Sequence, residues 1–281
     1  MLTQYLHDIV RHATGERVTT LHPLRSGSAD TALYQVHCAS GTQFALKTGS
    51  RLESEGRGLQ RLAYEGIPSP QVYAQADNYL LMDWLRGTAY LPGHSDADVA
   101  EHLARLHRVA GPHCGWDEPS WLGGYRLDNA PAADWPSFLR DSRLRPMAQA
   151  ALQARKLPDS LYARIESLAV ELPARLPADR PFCLCHGALW TGHVLCSRRR
   201  LAGLIAPALH YGDPEMDLAT FALAGQPSAD FYAAYAEHGD LAPHYRERQA
   251  LYQLIPLLAR VLMDAEPNLT ALDQRLTALG I

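Results

Sequence analysis

Two short turns constrain the first third of the chain more than any other feature. Ser26-Gly27-Ser28 and Ser40-Gly41 separate three stretches, 18–24, 31–38 and 42–48, that read as strands. Strands joined by turns this short run back and forth, so the sheet they build is antiparallel. Ahead of them, Leu2, Tyr5, Leu6, Ile9 and Val10 fall at helical spacing over residues 2–14. A helix follows the third strand and is broken by Ile67-Pro68-Ser69-Pro70, after which 71–75 and 79–82 read as two more strands.

Beyond residue 88 the pattern changes to helices. Residues 96–109 carry Val99, Leu103, Leu106 and Val109 on one face, and helical patterns recur at 139–154, 160–172, 218–223 and 229–238. Residues 245–263 are nearly apolar and read as one buried helix, while 182–185 is a short strand. The predicted architecture is α+β, with an antiparallel sheet and helix over residues 1–87 and mainly helices over 88–281; a kinase would place the hinge between two such lobes at Asp83-Trp84-Leu85-Arg86-Gly87. With 281 residues, 47% of them apolar, the chain can build a real core. A net charge of −4 gives no sign of nucleic-acid binding. The 5 cysteines show no compact disulfide spacing, residues 1–5 do not open a signal peptide, and no stretch approaches the roughly 18 apolar residues of a membrane span. A cytoplasmic, reduced protein is expected.

Function concentrates in His186-Gly187-Ala188-Leu189-Trp190-Thr191-Gly192-His193. A kinase catalytic loop reads His-x-Asp, with Asn five residues after the Asp; the Asp accepts the substrate hydroxyl's proton and the Asn holds Mg²⁺. In this chain His186 leads the same frame, but those two positions are Ala188 and His193. Where a second metal-binding Asp would follow an apolar run, the chain has Ala206 and Pro207 after Leu204 and Ile205.

The loop together with Ile205-Ala206-Pro207-Ala208-Leu209-His210-Tyr211-Gly212-Asp213-Pro214-Glu215-Met216-Asp217-Leu218-Ala219 resembles the fructosamine (ketosamine) kinase family of aminoglycoside-phosphotransferase-like kinases. Leu103-Ala104-Arg105-Leu106-His107, Cys114-Gly115-Trp116 and Leu251-Tyr252-Gln253-Leu254 extend the resemblance over nearly the whole chain. It implies a protein-kinase-like fold with a small-molecule ligand in the cleft between its lobes. Phe44-Ala45-Leu46-Lys47 resembles the strand that carries the nucleotide lysine, and Glu55 is the expected helix partner, with Glu53 as competitor. The retention of only two lysines, Lys47 and Lys156, is a modest sign that Lys47 matters. Gly27 and Ser28 stand where the phosphate-covering loop belongs, and Asp83 stands at the hinge that would meet an adenine. Near the sugar the family has Gln and Asn; this chain has Leu127 and Asn129. His186 and Asp217 are expected to hold the loop's shape.

Alanine at 188 cannot orient or deprotonate a hydroxyl, and alanine at 206 cannot ligate Mg²⁺, which takes oxygen ligands. Imidazole at 193 suits transition metals better than Mg²⁺. Cys183, Cys185, His186, His193, Cys196 and His210 lie close in sequence, but without paired zinc spacings no metal site is expected. Four readings stay open. The first is a pseudokinase that binds a ligand without transferring phosphate, with metal-independent ATP binding and a protein partner both conceivable. The second is a kinase cleft turned to non-phosphoryl acid/base chemistry through His193, His210 and Asp213. The third is a working kinase using displaced acids such as Asp213 or Asp128. The fourth is a kinase disabled by engineered alanines.

Overall fold

A computed structural model describes residues 2–25, 31–177, 180, 182–239 and 241–281. Helix α1 (Leu2–Thr14) leads into strands β1 (Val18–Leu24), β2 (Ala32–Cys38) and β3 (Gln43–Thr48). Helix α2 (Leu52–Tyr64) precedes β4 (Val72–Ala76) and β5 (Tyr79–Asp83). The five strands form one antiparallel sheet in the order β1-β2-β3-β5-β4.

The period of two along a strand divides this sheet's faces. Phe44, Leu46 and Leu81 pack with Leu6, Ile9 and Val10 of α1. Ala45, Leu80 and Met82 pack with Leu52 and Leu59 of α2 on the opposite face. Lys47 alternates onto the same face as Ala45, so its side chain emerges under α2. The site lysine is thus placed by strand alternation.

The second lobe begins with β6 (Thr88–Ala89) and α3 (Asp96–Leu106), then the hairpin β7 (Ser120–Leu122) and β8 (Tyr125–Leu127). Helices α4 (Trp135–Leu139), α5 (Arg145–Gln153) and α6 (Asp159–Arg175) follow. Strands β9 (Cys183–Cys185), β10 (Val194–Ser197), β11 (Arg200–Leu204) and β12 (His210–Gly212) frame the central loop. Helices α7 (Glu215–Gly225), α8 (Ala229–His238), α9 (Tyr245–Tyr252), α10 (Leu254–Met263) and α11 (Thr270–Ala278) close the lobe. Its core includes Trp135, Phe138, Met147, Leu168, Tyr252 and Leu258. Among the described residues no helix is long and apolar enough to cross a membrane.

Two expected helices are interrupted. The pattern over 139–154 contains a π-helical turn at Arg140–Leu144. The wider turn carries Arg143 into the interior, where it donates to the backbone oxygen of Asp128 (2.6 Å) and to Asn129 Oδ1 (2.5 Å). The apolar run 245–263 is split at Gln253 into α9 and α10. Pro256 has no N–H to give to Tyr252, which removes one helical bond at the break. Helix α3 stops at Leu106, three residues before the expected end.

Candidate active site

Lys47 Nζ lies 2.5 Å from Glu55 Oε1, and both side chains are largely buried. Glu53 points elsewhere, pairing with Arg57 at 3.0 Å on the half-exposed outer side of α2. Helix α2 is seated on the second lobe. Arg57 pairs with Glu118, and Arg61 Nη2 donates to Tyr211 Oη at 3.0 Å. A Cβ on Gly58 would lie 2.8 Å from Pro207 Cγ, so glycine permits that approach.

The loop below is built on a single carboxylate. Asp217, in the first turn of α7, accepts from the backbone N–H of His186 (2.6 Å) and of Gly187 (2.9 Å). His107 Nε2 lies 3.2 Å from the same carboxylate, and its Nδ1 lies 2.7 Å from Tyr235 Oη. Burial alone would raise the Asp217 pKa, but the bond from His107 and the neighbouring imidazoles outweigh it and hold the carboxyl below its ordinary value. Gly187 has φ +76°, and a Cβ there would sit 2.0 Å from the carbonyl oxygen of Ala208.

The tautomers in the loop follow from their partners. His186 Nε2 is 3.1 Å from the carbonyl oxygen of Ile205, which can only accept, so Nε2 carries the proton and Nδ1 accepts from the N–H of Ala188 at 3.3 Å. Burial pulls the His186 pKa down to about 4 against the opposing pull of Asp217, so the ring is neutral at pH 7. His193 Nδ1 lies 2.7 Å from the carbonyl oxygen of Ala188 and must donate to it. Burial lowers the His193 pKa, partly opposed by that bond, and the Lys47 charge lowers it further.

Ala206 has φ +52°, in the left-handed region. Asn, Asp and Gly tolerate this conformation; a Cβ without a polar group to bond locally pays roughly 1–2 kcal/mol there. Ala206→Gly is therefore expected to raise stability by about 1 kcal/mol, read as a higher urea midpoint; a lower midpoint would contradict the strain.

A cleft of about 630 Å³ joins these parts, lined by Lys47, Glu55, Ala188, Trp190, His193 and Ala206 among others. It gathers Lys47, Glu55 and all three altered positions. Arg51, Trp121, Arg260 and Met263 also line it, although the sequence did not single them out. Arg51 lies 4.3 Å over the Trp121 ring. The only sequence sign of this wall is a tryptophan two residues before the Gly123-Gly124 turn. A second cavity of about 590 Å³, beside Lys156 and Pro267, lies away from the loop, and its Lys156 donates to the backbone oxygen of Leu262 at 2.7 Å.

Other predicted residues sit outside this cleft. His210 is fully buried, stacked with Trp135 (centroids 6.3 Å) and Phe138 (6.0 Å), and burial lowers its pKa to about 4. Asp213 is buried and bound to Arg180 (3.2 Å) and Tyr252 Oη (2.9 Å). Packing and ion pairing hold these two in the core, whereas His193, with which they were expected to act, lines the cleft. Asn129 is a buried clamp, donating to the Glu118 oxygen (2.8 Å) and Ser120 Oγ (3.0 Å), and Leu127 is core. Asp83 accepts from Tyr73 Oη (2.9 Å) and Gln71 N (3.1 Å), tying β5 to the edge of the sheet and not to the cleft. Gly27 and Ser28 lie outside the described residues. Among the described residues no cluster of three or more His, Cys, Asp or Glu could hold a metal ion.

The family model described as fructosamine kinase matches residues 2–279. A protein named probable ketoamine kinase from Enterococcus faecium is 29% identical over 231 residues, 80% of this chain and 81% of the relative. Another of that name, from Lactiplantibacillus plantarum, is 30% identical over 229 residues, 79% of each chain. A crystal structure assigned as a fructosamine-3-kinase from Thermobifida fusca superposes with TM-score 0.87 at 27% identity, covering 98% of this chain and 97% of its own. An aminoglycoside phosphotransferase bound to ADP and hygromycin B shares the fold, with TM-score 0.67 at 15% identity over 98% of this chain and 96% of its own.

Proposed function

This chain belongs to the fructosamine kinase family, and from that premise we propose that it is a degenerate member, a pseudokinase that binds a small molecule in the interlobe cleft without ordinary phosphotransfer. One observation carries the reading: the three cleft positions where kinase chemistry needs a base and two metal ligands hold Ala188, His193 and Ala206. Loss of a general base alone costs about 10²–10⁴-fold in rate, before any loss of metal. The two acids that the sequence offered as substitutes do not line the cleft. Asp213 is locked to Arg180 in the core, and Asp128 is exposed, with Oδ1 accepting from the N–H of Ala130 (3.2 Å). The retained Lys47–Glu55 pair and the anchored loop argue for a cleft kept in shape for a ligand.

Metal-independent ATP binding fits this cleft, since no carboxylate remains at 188 or 206 to require a bridging cation. Calorimetric titration of ATP is expected to give the same result with and without Mg²⁺, whether that result is binding or none. Binding that appears or tightens tenfold on adding Mg²⁺ would point to a metal site and against the proposal. A second reading, non-phosphoryl acid/base chemistry, is favoured by one feature only, the neutral His193 ring in the cleft; it predicts an activity without Mg·ATP that His193→Ala abolishes.

A further inference from the structure

We infer that His193 gives the cleft a fixed hydrogen-bond acceptor, so that the ligand held between His193 and Lys47 is a metal-free, hydroxyl-bearing small anion. The inference rests on the reading of the cleft as a binding site and adds the chemical class of its occupant.

The argument starts from the tautomer. A carbonyl oxygen has no proton to give, so at 2.7 Å from Ala188 O the Nδ1 of His193 carries the hydrogen. In the neutral ring Nε2 then has a bare lone pair. It makes no hydrogen bond to the described residues, while the side chain lines the cleft. A metal-ligating asparagine can turn its amide to present either a donor or an acceptor. The neutral His193 ring cannot, because moving its proton to Nε2 would set the Nδ1 lone pair against the Ala188 carbonyl, and turning the ring over would forfeit that bond. Whatever meets Nε2 must therefore donate, as a hydroxyl does.

Charge around the ring completes the specification. The groups that face it are Lys47 from β3, Glu55 from α2 and the neutral His186, whose ring centroid is 6.4 Å away. An ammonium has three N–H groups, and Glu55 occupies one of them at 2.5 Å. The others suit an anionic oxygen. Ala188 and Ala206 line the same cleft with methyl groups where kinase carboxylates would repel a bare anion. Trp190, and Trp121 with Arg51 across it, supply flat walls that suit the C–H face of a polyol. A volume of about 630 Å³ accommodates a ligand of hexose-phosphate size.

The test is calorimetry in EDTA with three probes: glucose 6-phosphate, gluconate and sulfate, the last an anion with no proton to donate. At least one hydroxylated anion is expected to bind more tightly than sulfate, and the stronger of the two tells a phosphate ligand from a carboxylate one. His193→Leu is expected to weaken that probe about tenfold, the scale of one lost hydrogen bond, and to leave sulfate unchanged. Should the leucine variant not fold, His193→Phe keeps the ring volume without the acceptor and is expected to behave in the same way. Failure of both hydroxylated anions to bind, a requirement for Mg²⁺, or an unchanged affinity in the variant would overturn the inference. No nucleotide is present, so this outcome is separate from any finding about phosphotransfer.

Discussion

Ala188→Asp, His193→Asn and Ala206→Asp, introduced together, are expected to raise Mg·ATP-dependent phosphorylation of a fructosamine at least about 10²-fold above the unsubstituted chain. The surroundings these side chains would need are in place. Lys47 is held by Glu55, and the loop backbone is held by Asp217. The backbone at 206 already has the left-handed conformation that Asp accepts more readily than Ala. His193→Asn also frees the Ala188 carbonyl from the imidazole now bonded to it. The single substitutions are expected to give little, because base and metal ligands act as a unit. A folded triple variant with no gain would mean that the loss extends beyond these three positions.

Asp217→Ala is expected to be the most destabilising single change, by about 3–5 kcal/mol, because it strands two buried backbone N–H groups and the His107 ring. The check is the urea midpoint against pH. The folded carboxyl titrates below its ordinary value of 3.8, so the folded state favours the charged form. Its contribution is complete above that value and is lost as pH falls from 3.8 through the lower folded pKa. The gap between the two proteins should hold at pH 5–7 and shrink only below about 3.8. A gap that closes already at pH 6 would contradict the assignment of the stabilisation to this carboxyl.

Much of this was legible in the sequence because its signals are local. Turn residues marked off β1–β3, and the resemblance of Phe44-Ala45-Leu46-Lys47 to the nucleotide-lysine strand singled out Lys47. The choice of Glu55 over Glu53 followed from the residue order that the family resemblance supplied. Ala188 and His193 needed only the fixed spacing from His186, and Ala206 needed the apolar run that precedes it. What the sequence could not show depends on distant segments. His210 looked available, but β12 pairs with β9 and lays its ring against Trp135 and Phe138, some seventy residues earlier. Asp213 looked like a spare acid until Arg180 and Tyr252 met it. The apolar periodicity of 139–154 concealed the π-helical turn, since one widened turn barely shifts the pattern while redirecting Arg143 inward. The bond from His193 to Ala188 depends on how a loop closes on itself, which no spacing reveals.

The most direct test of the central claim is ADP release from Mg·ATP in the presence of a fructosamine, comparing the unsubstituted chain with Lys47→Ala. The account predicts that the two proteins give the same background rate. Fructosamine-dependent ADP release that Lys47→Ala abolishes would contradict it and show that this cleft transfers phosphate without the three missing groups.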